Sequence, residues 1–115
     1  MPSTTTFSPG DVVLVRFVFA DESGAKRRPV LVLSNDEYHA SRQEVIVAAM
    51  TSNVSRVLVG DHVVNDWQAA GLPKPSLVTA ILRTIKRAMI EAALGRLGDR
   101  DTRAVRAQLR RAIGL

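Results

Sequence analysis

The sequence predicts a small, mainly β domain finished by a helix: an open barrel or sheet with one helix packed on it. Three observations predict it. At 115 residues the chain is one domain long, enough for a core without staples. Short runs rich in β-branched residues alternate with polar, Gly-containing loops. The closing stretch carries the clearest helical spacing.

Residues 1–9 read as a flexible N-terminal tail and residues 10–115 as the domain. Gly10-Asp11 opens a first strand, Val12 to Phe19, with Phe17 and Phe19 alternating onto a core face. Ala20 to Arg27, with Gly24, reads as a loop. Pro29 starts a second strand through Leu33, where its missing N–H does least harm. Asn35 to Gln43 reads as a polar loop. Glu44 to Met50 is apolar almost throughout, as a central strand buried on both faces would be.

Further on, Arg56 to Val64 has strand-like composition broken by Gly60-Asp61, which suggests a hairpin. Asp66 to Gly71 suggests one helical turn stopped by Gly71; Trp67 packs it onto the barrel in preference to stacking a single-stranded base. Leu72-Pro73-Lys74-Pro75 is extended by its prolines, and Ser76 to Ile85 is strand-like. Met89 to Leu97 is ambiguous, since Ala, Leu and Glu favour helix while Gly95 weakens it. The terminal helix starts with Asp99 or Asp101 as candidate caps. It places Val105, Leu109, Ala112 and Ile113 on one face and Arg103, Arg106, Arg110 and Arg111 elsewhere.

The formal net charge is +5, unevenly placed. Residues 1–82 hold 7 basic and 8 acidic side chains, whereas residues 83–115 hold 9 and 3. A basic C-terminal third suits a polyanion or an acidic partner, although a solvated helix face accounts for it equally. With no cysteine, disulfides, thiolate metal sites and cysteine nucleophiles are excluded. The two histidines, His39 and His62, lie far apart in sequence, which disfavours both metal chemistry and a two-histidine mechanism. No metal or cofactor is expected. Neither a bilayer-length apolar run nor a secretory signal is visible, so the expectation is a cytoplasmic chain without membrane contact.

One pairing brings chemistry together. An antiparallel register centred between His39 and Ala40 sets Val32 opposite Val47, Val30 opposite Ala49 and Arg28 opposite Thr51. Directly opposed residues lie about 4.5–5.5 Å apart. A guanidinium fork and the hydroxyls of Thr51 and Ser52 then share one sheet edge and suit a phosphate. The competing use of Arg28 is an ion pair with Asp21 or Glu22. Lys26 and Arg27 flank it as phosphate contacts or solvated charges. Lys74 is a groove-lining or solvent-facing charge, and Arg83 a substrate contact or an ion-pair partner.

Three stretches in order resemble the N-terminal signatures of the MazF/PemK toxins: Gly10-Asp11-Val12-Val13-Leu14-Val15, Lys26-Arg27-Arg28-Pro29-Val30-Leu31-Val32-Leu33-Ser34 and Val45-Ile46-Val47-Ala48-Ala49-Met50-Thr51-Ser52. Gly71-Leu72-Pro73-Lys74-Pro75-Ser76, Leu82-Arg83-Thr84-Ile85 and Leu94-Gly95-Arg96-Leu97 are similar to the later ones. Each piece is weak alone; the ordered set is specific. The resemblance implies an SH3-like barrel of the CcdB/PemK type with a C-terminal helix, and it makes Met89 to Leu97 a strand. It also implies a homodimer that cuts single-stranded RNA at short motifs and is held inactive by a cognate antitoxin whose acidic tail lies in the substrate groove. The active-site pair it implies is Arg28 and Thr51.

Chemistry compatible with that reading needs no metal. The RNA's own 2′-OH attacks the adjacent phosphate, which calls for proton removal, stabilisation of charge on the phosphoryl oxygens and proton delivery to the 5′-oxygen. Arg28 fits charge stabilisation and Thr51 fits positioning. Some relatives carry an acid and a second Arg in the strand matching Ser76 to Arg83, but Thr79 to Ile81 offer neither, so the general base is unassigned. The rival functions are a non-catalytic toxin on the same fold, such as a gyrase poison, and a plain nucleic-acid-binding module.

Overall fold

The computed structural model describes residues 6–18 and 24–115. Phe19, Asp21 and Glu22 therefore lie outside the described residues, and so does the start of the expected tail. From Phe7 onward that segment is packed. Phe7 is buried, and the Ser8 amide donates to Asp11 at 2.8 Å.

The strands are β1 (Asp11–Val18), β2 (Ala25–Val32), β3 (Glu44–Thr51), β4 (His62–Val63), β5 (Leu77–Lys86) and β6 (Ile90–Arg96). They form one six-stranded sheet in the order β4-β5-β3-β2-β1-β6, with every neighbouring pair antiparallel. Helix α1 (Asp36–Ser41) bridges β2 and β3, and α2 (Asp99–Ile113) closes the chain.

Strand alternation sorts the apolar side chains into two cores. Val12, Leu31, Ala48, Met50 and Val78 pack with Val105 of α2 and with Leu72, and partly buried Trp67 and Leu109 join them. Val13, Val15, Val30, Val32, Val45, Val47 and Ile85 form the second core on the opposite face, under Phe7. The expected register is the observed one, Val30 against Ala49 and Val32 against Val47. Two register shifts against β1 put extra residues, Leu94 and Glu91, into the edge strand β6 and bend it. Curling is strong enough that Arg83 of β5 lies over the Phe17 ring of β1, although β3 and β2 separate those strands in the sheet.

Four expectations are corrected. Strand β2 begins at Ala25, so Lys26 and Arg27 lie in the sheet rather than in a loop, and Pro29 sits inside the strand. The Val32 carbonyl accepts from Gly10, which by alternation turns the Pro29 nitrogen toward β3, whose ladder covers only Val30–Val32. The ring therefore interrupts no bond of that ladder. The expected loop from Asn35 to Gln43 contains α1, capped by the Asn35 side chain accepting from the Tyr38 amide at 3.0 Å. The expected Arg56–Val64 hairpin reduces to β4, which pairs with β5, while Val57, Leu58 and Val59 stay exposed.

Finally, the N-cap of α2 is Gly98, with no side-chain cap. Asp101 is turned away to serve a different set of donors. Its buried carboxylate accepts from the amides of Asn65 (2.9 Å) and Asp66 (3.1 Å), from the Asn65 side chain (3.2 Å) and from His62 Nε2 (2.7 Å). It thereby ties α2 to β4 and the following turn. That turn, from Asp66, stops at Gly71 (φ +84°), where a Cβ would meet the Leu94 carbonyl at 2.0 Å. No helix of the described residues is long and apolar enough to cross a membrane.

Candidate active site

The second core is open at one end, where β2, β3 and β5 leave a groove of about 500 Å³. Its apolar walls are Phe17, Val30, Val47 and Ile81, and its polar groups come from Arg28, Thr51, Thr79 and Arg83. Arg28 shares a face with Val30 in β2, and Thr51 shares one with Val47 and Ala49 in β3. Extending the observed register by one more same-face pair sets them across from each other.

The state of each group follows from its neighbours. Among the described residues the Arg28 guanidinium has no hydrogen-bond or ion-pair partner, and it is exposed at the groove. The Thr51 hydroxyl accepts from the Asn53 amide at 3.1 Å, which leaves its own proton to donate outward. Arg83 sits 4.9 Å from the Phe17 ring centroid, a cation–π contact that holds its charge at the groove mouth. Among the described residues no Asp, Glu or His lines the groove. Two cations and one hydroxyl donor facing an apolar-walled groove make an anion site.

One feature of this groove was hidden in the sequence. Between Ala48 and Met50 the β3–β5 register jumps, so Thr79 to Ile81 bulge out of β5. The buried Thr79 hydroxyl fastens the bulge, donating to the Ala49 carbonyl at 2.8 Å and accepting from the Ile81 amide at 3.1 Å. The bulge opens the groove floor beside Thr51 and aims Ile81 into solvent. A Thr in a strand gives no local sign of this, because the bulge depends on a partner strand 30 residues away.

Of the residues singled out by sequence, Arg28, Thr51 and Arg83 come together in the groove. The others do not line it. Arg27 points to the opposite sheet face and ion-pairs with Glu91 at 2.5 Å. Lys26 lies on the Arg28 face two residues away, Ser52 is exposed on the far side of Thr51, and Lys74 is exposed between its prolines. Both histidines are structural. His39 Nδ1 donates to the Phe7 carbonyl at 2.8 Å, and its Nε2 lies 2.6 Å from Ser34 Oγ. His62 belongs to the Asp101 cluster. Among the described residues no three His, Asp or Glu side chains are grouped as metal ligands would be.

Comparison with known proteins agrees with this architecture. A family model described as PemK-like, MazF-like toxin of type II toxin-antitoxin system matches residues 8–113. Endoribonuclease MazF6 of Mycobacterium tuberculosis is 43% identical over 61 residues, covering 50% of this chain and 54% of the relative. Endoribonuclease MazF2 of Mycobacterium bovis matches to the same extent. The chain thus spans about half the length of the curated relatives it matches. Among solved structures, Mycobacterium tuberculosis toxin MazF-mt6 superposes with TM-score 0.74 at 25% identity over 91% of this chain and 97% of that one. A mycobacterial endoribonuclease in complex with its cognate antitoxin gives TM-score 0.78 at 17% identity, covering 96% and 97%. MazE-MazF (Form-III) from Deinococcus radiodurans gives 0.77 at 21%, covering 95% and 97%. Those last two likenesses establish the fold: the barrel-type sheet with a C-terminal helix that the resemblance implied.

Proposed function

Given that the chain belongs to the PemK-like, MazF-like toxins of type II toxin–antitoxin systems, we propose that it is a sequence-selective endoribonuclease that cuts single-stranded RNA in the groove between Arg28 and Thr51. The observation that carries this reading is the pairing itself. Across one apolar-walled groove stand a guanidinium without a partner among the described residues and a hydroxyl whose proton is free to donate.

A phosphodiester in that groove has its non-bridging oxygens held by the Arg28 fork and the Thr51 hydroxyl, with Arg83 adding charge. The 2′-oxygen attacks phosphorus, the P–O5′ bond breaks, and a 2′,3′-cyclic phosphate and a 5′-hydroxyl result. With no carboxylate or imidazole among the described lining residues, solvent water takes the 2′-OH proton and supplies the proton to the 5′-oxygen. The chain's contribution is then positioning and stabilisation of developing charge, for which one lost donor costs about 10²–10³ in rate. The nucleophile comes from the substrate, so the route requires no metal ion.

The same reading assigns the groove to the acidic tail of a cognate antitoxin, a polyanion competing with RNA for Arg28 and Arg83. Val57, Leu58, Val59 and Ile81, exposed beside the groove, are the apolar surface a homodimer would bury. The site of action is the cytoplasm. A non-catalytic toxin on the same fold is the second reading, favoured by the lack of an acid or base among the described lining residues. Incubating the chain with a long RNA in excess chelator separates the two. The enzyme reading expects fragments from wild type and a loss of at least about 100-fold in Arg28→Ala and Thr51→Ala; intact RNA in every case leaves the non-catalytic toxin.

A further inference from the structure

The outer face of α2 carries a second, separate concentration of charge. Placed on a helical wheel, Arg100, Arg103, Arg106, Arg110 and Arg111 fall within about 140° of arc, opposite Asp101, Val105 and Leu109, which face the sheet. All five are exposed. None of them has an ion-pair or hydrogen-bond partner for its side chain among the described residues.

The contrast with the sheet is instructive. There, Arg27 pairs with Glu91, Lys86 with Glu44 and Arg96 with Asp11, while Arg87 donates to the carbonyls of His39 and Arg42. After Asp101 the helix has no acidic residue at all. Arg103 and Arg106, then Arg106 and Arg110, stand at the spacings where like charges repel along a helix. A face selected only for solubility interleaves both signs; beyond Asp99 in the first turn, this one is single-signed to the helix end.

From this we infer that the α2 face is a sequence-independent docking surface for the phosphate backbone of RNA lying outside the cleaved segment. The planar arginine forks match phosphate and carboxylate oxygens alike; one observation favours RNA over an acidic protein partner. Between them the face exposes only Ala107 and, in the first turn, Asp99, so it lacks the apolar anchors that a peptide interface needs at its centre. Because α2 covers the first core while the Arg28 groove opens on the second, the two surfaces lie on opposite sides of the sheet. Only an RNA long enough to wrap around the domain reaches both. The inference rests on RNA as the substrate class proposed above, but not on cleavage.

The test uses the whole chain and two RNAs carrying 2′-O-methyl groups throughout, so neither can be cut by its own 2′-oxygen: one of about 30 nucleotides, one of about 6. Binding is measured across a salt series for wild type, for Arg103→Gln/Arg106→Gln/Arg110→Gln, and for the same three positions changed to Lys, with circular dichroism confirming the fold of each. For the long RNA, the Gln variant is expected to lower the log–log salt slope by about 2 and the low-salt affinity about 10- to 100-fold. The Lys variant keeps the slope, and hexamer binding is the same in all three. Equal slopes for wild type and the Gln variant overturn the inference, and so does an equal loss with the hexamer. Polyglutamate that binds wild type as tightly as the long RNA, with the same loss in the Gln variant, reassigns the face to an acidic protein. If the chain cuts no RNA yet shows the slope difference, the nuclease reading fails and this surface stands.

Discussion

Replacing Asp101 by Ala probes how α2 is held to the sheet. The carboxylate is 2% exposed and accepts from two backbone amides, from one side-chain amide and from His62. Alanine leaves the Asn65 and Asp66 amides and the imidazole facing a small void. Each buried donor left without an acceptor costs about 1–3 kcal/mol, and water entering the void relieves part of that, so about 3–5 kcal/mol in all is expected. That is a large share of the roughly 5–15 kcal/mol that stabilises an ordinary domain. Urea titration at neutral pH should show a lower midpoint with an unchanged slope, and Asp101→Asn should fall between Ala and wild type. The pH dependence follows from the same geometry. Burial raises the Asp101 pKa, but the Asn65 amide, His62 and the Asp66 amide outweigh it, so the carboxyl sits below its ordinary value. Its stabilisation is therefore complete above the unfolded pKa of about 3.9 and disappears as pH falls through the lower folded value. A loss in Asp101→Ala of less than about 1 kcal/mol would refute the assignment of this cluster as the tie between α2 and β4.

Three further outcomes are expected. Gly71→Ala puts a Cβ 2.0 Å from the Leu94 carbonyl at φ +84°, so the chain should lose at least about 3 kcal/mol or fail to fold, as read by thermal melting. Thr79→Val strands the Ile81 amide that the hydroxyl accepts from; a loss of about 1–3 kcal/mol in urea and slower RNA cleavage are expected, both restored by Thr79→Ser. His39→Ala should lower stability, since both ring nitrogens are engaged, yet leave the pH profile of cleavage unchanged in shape; a flattened profile would make it a proton-transfer group.

Local patterning explains why much of this was legible in the sequence. The β2–β3 register follows from the loop centre at His39/Ala40, because one-residue slips would turn Val30, Val32 and Val47 out of the core. That register, together with the Arg-Pro and Thr-Ser signatures, marked Arg28 and Thr51 as neighbours. Missed features depend on partners remote in sequence. The β5 bulge needs the Ala49 carbonyl, and Arg27 is drawn to Glu91 on an edge strand 64 residues away. Asp101 leaves its own helix end for amides 35 and 36 residues earlier. Helix α1 is a different case: Asn35 followed by Asp36 and Glu37 is a local start signal, masked by the polarity of the segment. Gly71 and Gly95 carried part of the family resemblance, and the structure gives their reason. Each packs against the other's backbone neighbourhood with no room for a Cβ.

The chemical end left on the RNA tests the central claim most directly. Wild-type chain in excess chelator is predicted to release fragments ending in a 2′,3′-cyclic phosphate with 5′-hydroxyl partners, with Arg28→Ala slower by about 100-fold or more. Fragments with 3′-hydroxyl and 5′-phosphate ends would mean that water, not the 2′-oxygen, attacks. Equal cleavage by Arg28→Ala would mean that the groove between Arg28 and Thr51 is not where RNA is cut.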